Sequence, residues 1–331
     1  MVEAATLGRE CVGSDISSLA VFVAEAKTTP LDDAQVQSIL SWADSLLPLL
    51  TIRCHAERAR SWAASGYQRN ISDRTTWRIR KLLEIALAKT EVLQGGKVQR
   101  FARCILLNTA QWALDCRDDV PSVFEFRHRL LAHTRDMLSS MNQYARAVAA
   151  ASASNPTPIC LCRSAIGIEH ESAFPRHRPV SLILTSPPYP GVHVLYHRWQ
   201  IRGRKETAAP FWIANSVDGA GESHYTFGSR KRPRLDSYFD QALAAFKSIG
   251  KVCCADTLVV QMLSFSDPSW QLPQYLRVMR HAGFDEVFVP MLNTRADDRA
   301  WRPVPNRKWY ASRQVSNPSS KEVVLFHKLR A

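Results

Sequence analysis

Two adjacent prolines, Pro187 and Pro188, follow directly on the apolar run Val180-Ser181-Leu182-Ile183-Leu184, and they constrain the fold more than any other pair of residues. The run has the length and composition of a buried strand. Each proline fixes φ near −65° and removes an N–H donor, so the strand has to stop there. The residue before a proline is held extended, which keeps Ser186 from relaxing into a helix. Thr185-Ser186-Pro187-Pro188-Tyr189 therefore predicts a rigid shelf at the C-terminal tip of a strand, where free carbonyls and a hydroxyl stand beside a flat ring. Such a shelf suits an exocyclic amino group whose ring stacks on the tyrosine. A bare Pro-Pro is more often an ordinary turn, and the flanking residues are what favour a site.

Upstream of the shelf the sequence reads very differently. Leu19 to Ala24 continues as a helix that Pro30 ends. Gln35–Leu50, Arg74–Leu93, Val98–Leu114 and Phe124–Ala150 carry apolar residues at three- and four-residue spacing, the helical period. Asp73 suits a helix cap and Pro121 a helix start. Arg74, Arg78, Arg80, Lys81, Arg100 and Arg103 fall on helical surfaces, where a solvated face is the ordinary explanation and phosphate contact the sharper one. Residues 151 to 158 are small, polar and broken by proline, which reads as a linker. Ile159-Cys160-Leu161-Cys162 reads as a short strand.

Downstream, Leu235–Ile249 reads as a helix, Thr257–Leu263 as a strand and Leu272–Ala282 as a helix ending at Gly283. Phe284–Val289 and Glu322–Phe326 read as two closing strands. Gly191 to Ile213 interleaves aromatics with basic residues, among them His193, Tyr196, His197, Arg198, Trp199, Arg202, Arg204 and Lys205. A second basic run, Arg230-Lys231-Arg232-Pro233-Arg234, lies in a Gly- and Ser-containing loop. Stacking plus phosphate neutralisation is what single strands and extruded nucleotides require. A net charge of +13 over 331 residues points the same way, towards a polyanionic partner.

With 46% hydrophobic residues the chain can bury a core, and no apolar run approaches the ~18 residues needed to span a membrane. No basic segment followed by an apolar stretch opens the chain, so the expected compartment is the cytoplasm. The eight cysteines lack zinc-type spacing: Cys160-x-Cys162 and Cys253-Cys254 have no second ligand pair. His193 and His197 stand four apart but without the glutamate of a zinc-protease helix. No metal site is expected.

The shelf resembles the catalytic motif of the S-adenosylmethionine-dependent amino-methyltransferases, which methylate N4 of cytosine or N6 of adenine in DNA. The motif is Ser/Asn/Asp-Pro-Pro-Tyr/Phe/Trp at a strand end, with Ser186 at its first position and Tyr189 at its last. The serine form is commoner among cytosine-N4 enzymes. The resemblance thus implies a site-specific cytosine-N4 DNA methyltransferase, with an adenine-N6 or RNA-base enzyme as the alternative within the class. A non-catalytic nucleic-acid-binding remnant is the alternative outside it. Ser186, Pro187, Pro188 and Tyr189 would form the catalytic site. Val2-Glu3-Ala4-Ala5 followed by Leu7 to Ile16 is similar to the family segment after its glycine-rich cofactor loop, where a helix leads to a short strand ending in an acid. Asp15 would then address the cofactor ribose, as such acids do about 20 residues past a glycine loop.

Ser164, where family members often carry aspartate, and Thr185 complete the cofactor-facing set. Arg198, Arg202, Arg204, Lys205, Arg230, Lys231 and Arg232 form the DNA-facing set. The glycine-rich loop itself, Asp-Pro-Phe-x-Gly-Ser-Gly-Thr, would stand just before Val2, so the cofactor side is expected to be clipped. The implied fold is α/β, a Rossmann-like class I methyltransferase sheet with a large all-helical insertion. It divides into residues 1–30 (cofactor side), 31–151 (insertion) and 152–331 (catalytic part with DNA-contacting loops). The resemblance leaves room for a restriction endonuclease partner. The oligomeric state is not legible.

Overall fold

The computed structural model describes residues 1–54, 60–151, 157–175, 179–192, 198–203, 205–216, 222–229, 234–289, 299–303 and 321–330. The first 151 positions give α1 (Val2–Thr6), β1 (Val12–Asp15), α2 (Ser18–Thr28), α3 (Asp33–Leu46), α4 (Arg60–Ala64), α5 (Trp77–Thr90), α6 (Gly96–Leu114) and α7 (Val123–Ala151). Then follow β2 (Ile159–Cys162), β3 (Val180–Thr185), β4 (Trp199–Ile201), β5 (Lys205–Thr207), α8 (Ala209–Ala214), α9 (Glu222–Tyr225) and α10 (Asp236–Gly250). The remainder is β6 (Cys253–Leu263), α11 (Pro268–His281), β7 (Phe284–Glu286), β8 (Ala300–Pro303) and β9 (Lys321–Leu329). The molecule is mixed α/β with many helices and a mixed sheet. No helix among the described residues is long and apolar enough to cross a membrane.

Short polar residues set where the long helices begin. Ser17 accepts from Ala20 N–H to cap α2, and Asp32 and Gln35 form a reciprocal capping box at the start of α3. Ser122 and Glu125 exchange the same pair of bonds at α7, at 3.2 and 2.7 Å. Asp73 acts one turn early: its Oδ1 accepts both the Thr75 and Thr76 N–H groups at 2.9 Å, and α5 starts at Trp77. These bonds, led by the Thr75 hydroxyl, hold its carboxyl well below the usual carboxylate range.

The chain folds as two compact units, residues 1–162 with 195–218, and residues 163–194 with 219–331. The stretches 1–30 and 31–151 thus share one unit. That first unit is centred on α6, whose Phe101, Ala102, Ile105, Leu106, Ala110 and Ala113 are buried at helical spacing. α2, α3, α5, α7 and α8 pack on α6. β1 and β2 pair in parallel, Val12 opposite Ile159 through Asp15 opposite Cys162. β4 and β5 form an antiparallel hairpin that ties back to the segment before α5: Asn70 Nδ2 donates to the Glu206 carbonyl at 2.7 Å.

The second unit holds the larger sheet, in the order β3-β6-β9-β7, with β8 pairing on β9 as well. β3 and β6 run parallel, whereas β9 is antiparallel to both β6 and β7. β6 alternates, burying Thr257, Val259, Gln261 and Leu263. One face of the sheet carries α10 and α11 over a core of Phe246, Val259, Leu263, Phe265, Tyr275, Met279, Phe284, Val323 and Leu325. The rings of Phe246, Phe265, Phe284 and Tyr275 meet edge to face at 6.2–6.3 Å. Each such side chain, fully buried, contributes roughly 1.5–3 kcal/mol.

A buried polar chain crosses this core. Tyr275 donates to Gln261 Oε1, and Gln261 Nε2 lies 3.3 Å from His327 Nδ1. His327 Nε2 has no partner among the described residues. At the other side of the sheet β3 keeps Leu182 and Leu184, two apart and so on one face, 50% and 70% exposed.

Candidate active site and nucleic-acid interface

β3 ends at Thr185, opposite Gln261 of β6, and the shelf begins with the exposed Ser186. Pro187 is buried, while Pro188 and Tyr189 are half-buried. Every turn of the shelf is tied to the core behind it. The Ser186 hydroxyl lies 3.2 Å from the Met262 carbonyl and 3.1 Å from Tyr189 Oη. Tyr238 donates to the Pro188 carbonyl at 2.6 Å; burial pushes its phenol well above the usual range, so it stays a neutral donor. Ser266 N–H donates to the Pro190 carbonyl at 3.1 Å, and Val192 N–H to the Tyr189 carbonyl at 3.1 Å.

Tyr189 Oη donates to Glu322 Oε1 at 2.8 Å. Glu322 is the second residue of β9 and is only 5% exposed. A carboxylate that deep costs several kcal/mol unless it is paired. Arg302 of β8 supplies the pairing, its Nε and Nη2 donating to Glu322 Oε2 at 2.9 and 2.8 Å. The sequence reading missed Glu322, Arg302 and Tyr238. A signal for one of them is present, since Glu322 is an acid standing directly before the apolar run Val323-Val324-Leu325-Phe326. The arrangement presents the exposed Ser186 hydroxyl beside an aromatic ring whose own hydroxyl is held from behind.

The cofactor-facing residues fall in both units. Asp15 ends β1 in the first. Its Oδ1 accepts the Ser17 N–H at 2.7 Å, the turn that leads into α2. The residue reaches solvent, yet the chain around it shields the carboxyl enough to raise it above its ordinary value, the Ser17 bond pulling the other way. Ser164 lies in the second unit, where its Oγ accepts the Ile166 N–H at 3.1 Å in a tight turn. Thr185 is in that unit too.

The basic residues divide in a way the sequence did not indicate. Arg198 and Lys205 join Arg69 and Asn70 around an open cleft of about 600 Å³ in the first unit, with Glu206 as its one acid. Arg202 is instead drawn to the helix entrance, 3.1 Å from the Thr75 hydroxyl and 3.9 Å from Asp73 Oδ2. Arg204, Arg230, Lys231 and Arg232 lie outside the described residues, as do His193, Tyr196 and His197. Trp199, read as part of an aromatic surface, is 3% exposed, because all of β4 packs inward against α6.

Among the helical arginines, Arg80 pairs with Glu84, Arg100 with Glu25 at 3.1 Å, and Arg103 donates to the Ile213 carbonyl at 3.0 Å. These three serve packing within the unit. No group of three or more His, Cys, Asp or Glu among the described residues is placed to hold a metal ion.

Comparison with known proteins finds no matching family model, no matching curated protein and no matching solved structure.

Proposed function

We propose that this chain is an S-adenosylmethionine-dependent DNA amino-methyltransferase that acts on the exocyclic N4 amine of cytosine. The observation that carries the reading is the exposed Ser186 hydroxyl at the tip of a sheet strand, bonded directly to Tyr189, whose own hydroxyl is held by a buried carboxylate. An aromatic amine is a poor nucleophile because its lone pair is delocalised into the ring. Ser186 Oγ accepts a hydrogen bond from that amine and draws the nitrogen towards sp³ geometry, which frees the pair. A base inside a duplex is out of reach, so the target is extruded and its ring stacks on Tyr189. The bonds behind the shelf fix both groups before the base arrives, so orientation is prepaid.

The sheet supports a Rossmann-like reading. Class I methyltransferase sheets end in helix, strand, helix and a terminal strand pair, and α10, β6, α11, β7 and β9 follow that order. S-adenosylmethionine supplies an electrophilic methyl group on its sulfonium. Asp15 fits the ribose end: it closes a strand, and with Oδ1 engaged by Ser17 it has Oδ2 for a hydroxyl. The described residues include no glycine-rich turn between a strand and a helix for the methionine end. The Arg69, Arg198 and Lys205 cleft supports contact with nucleic-acid phosphate.

The test is product analysis. The protein is incubated with DNA and methyl-labelled S-adenosylmethionine, the DNA is digested, and the nucleosides are separated. N4-methylcytosine is the expected product; N6-methyladenine moves the assignment to the adenine enzymes. Absence of any methylated nucleoside from folded protein counts against the reading. One observation favours a second reading, a nucleic-acid-binding protein without catalysis: Asp15 is partly spent on its own turn. Calorimetry separates the two, because the second gives no heat with S-adenosylmethionine yet retains salt-dependent DNA binding.

A further inference from the structure

We infer that Glu322 is a positioning residue that sets which ring substituent the shelf accepts. Acting through Tyr189, it turns Ser186 into a pure hydrogen-bond acceptor, so the site takes a ring amino group and rejects an oxo group at the same position. This rests on the proposed reading of the shelf as a base site and deepens it.

The inference follows from proton counting. A carboxylate accepts hydrogens and donates none. Glu322 Oε2 already takes two N–H groups from Arg302, which pins the carboxylate and leaves Oε1 aimed at Tyr189. The phenol has one hydrogen, and Glu322 claims it. Tyr189 Oη therefore shows Ser186 only lone pairs. The other bonded neighbour of Ser186 among the described residues is the Met262 carbonyl, again only an acceptor. The single Ser186 hydrogen must point inward, to one or other of these oxygens 3.1 and 3.2 Å away.

What faces solvent at the strand tip is the pair of Ser186 lone pairs. An amino group brings a hydrogen to them. A ring carbonyl in the same place meets lone pair against lone pair and loses its water without compensation.

Glu322→Gln should undo this polarity while changing little volume. Arg302, a donor only, would claim the amide oxygen and turn the NH₂ group towards Tyr189. The phenol would then accept from the amide and send its own hydrogen towards Ser186, so the outward acceptor would no longer be enforced. Tyr189→Phe removes one of the two inward acceptors of the Ser186 hydrogen, keeps the ring and leaves the Glu322–Arg302 pair intact.

The probes are short single strands of equal length, oligo(dC) against oligo(dU) and oligo(dA) against oligo(dI), in one buffer at pH 8. Within each pair the rings are the same, and the only difference is an amino group and its ring proton pattern against an oxo group. Kd is read by fluorescence anisotropy, with circular dichroism as the folding control. Wild-type protein should prefer the amino strand of at least one pair by about tenfold, the scale of one well-placed hydrogen bond. E322Q should bring that ratio to within about threefold, and Y189F should lower it.

If wild type shows the preference and both folded variants keep it in full, the role of Glu322 is overturned and the base-site reading survives. Absence of preference in wild type for either pair overturns both. Should Glu322→Gln fail to fold, Tyr189→Phe alone decides.

Discussion

The backbone of Gly191 passes so close to Ser266 that a Cβ on the glycine would lie 2.1 Å from the serine Oγ. Gly191 also has φ +67°, in the left-handed region that costs other residues strain. The two constraints act together where the shelf turns back to the core, one residue past the Pro190 carbonyl that Ser266 N–H holds. Gly191→Ala should therefore destabilise the protein by more than about 1 kcal/mol. Urea unfolding checks this, and Ser266→Ala in the same background should recover only some of the loss, since the positive φ and the close approach of the residue-266 Cβ, 3.1 Å, remain.

His327 makes stability depend on acid. Burial lowers its pKa from 6.5 to about 4, with Glu286 opposing and Arg299 adding to the shift. Above pH 6.5 the imidazole is neutral whether the chain is folded or not, and it exacts no penalty. Between 6.5 and 4 the unfolded chain takes up the proton first, so folding stability falls through that window and the loss levels off below 4. The loss is at most roughly 3 kcal/mol. Urea titrations at pH 7 and 4.5 should show it, and His327→Leu should flatten the difference.

Removing the Asp73 side chain should loosen the entry to α5. Asp73→Ala gives up the turn bonds to Thr75 and Thr76 and is expected to cost about 1 kcal/mol, the usual value of a helix cap. Arg202→Ala, which touches the same place from an exposed position 3.9 Å away, should cost less than that. Thermal melts of the two variants rank them, and equal losses would assign the main role to the arginine.

The cleft of Arg69, Arg198 and Lys205 is tested by salt. Replacing all three with alanine should weaken duplex DNA binding and reduce the slope of log K against log salt by up to about 2.7, if each neutralises one phosphate. An unchanged slope in anisotropy titrations would remove the cleft from the interface.

Much of the architecture was legible because it is local. Val180–Leu184 read as a strand from its apolar run, and α2, α3, α5, α6 and α7 from their helical pattern; structure moved their ends by a few residues. Phe284–Val289 shortened to Phe284–Glu286, although Val287 N–H still reaches the Phe326 carbonyl at 2.8 Å. β4 and β5 were missed because three residues are too few to show a period of two, and Trp199-Gln200-Ile201 are all buried rather than alternating. β8 is hidden for the same reason. Of the site, the shelf was visible and its support was not. Tyr189 meets Glu322 across 133 positions of sequence, and only the sheet order brings them together. The division of the arginines into cleft-lining and packing residues was equally invisible, since composition counts charges and not their partners.

Strand β9 lies inside its sheet, between β6 and β7, and it brings Glu322 with it. A growing polypeptide that has left the ribosome only as far as residue 303 already owns Ser186, Tyr189 and Arg302, but the tyrosine has no carboxylate to lock it and the sheet has a gap. The shelf would thus be assembled only once the segment from Lys321 to Leu329 emerges and slots between strands made earlier. Nascent chains truncated before that point should hold the motif without its geometry.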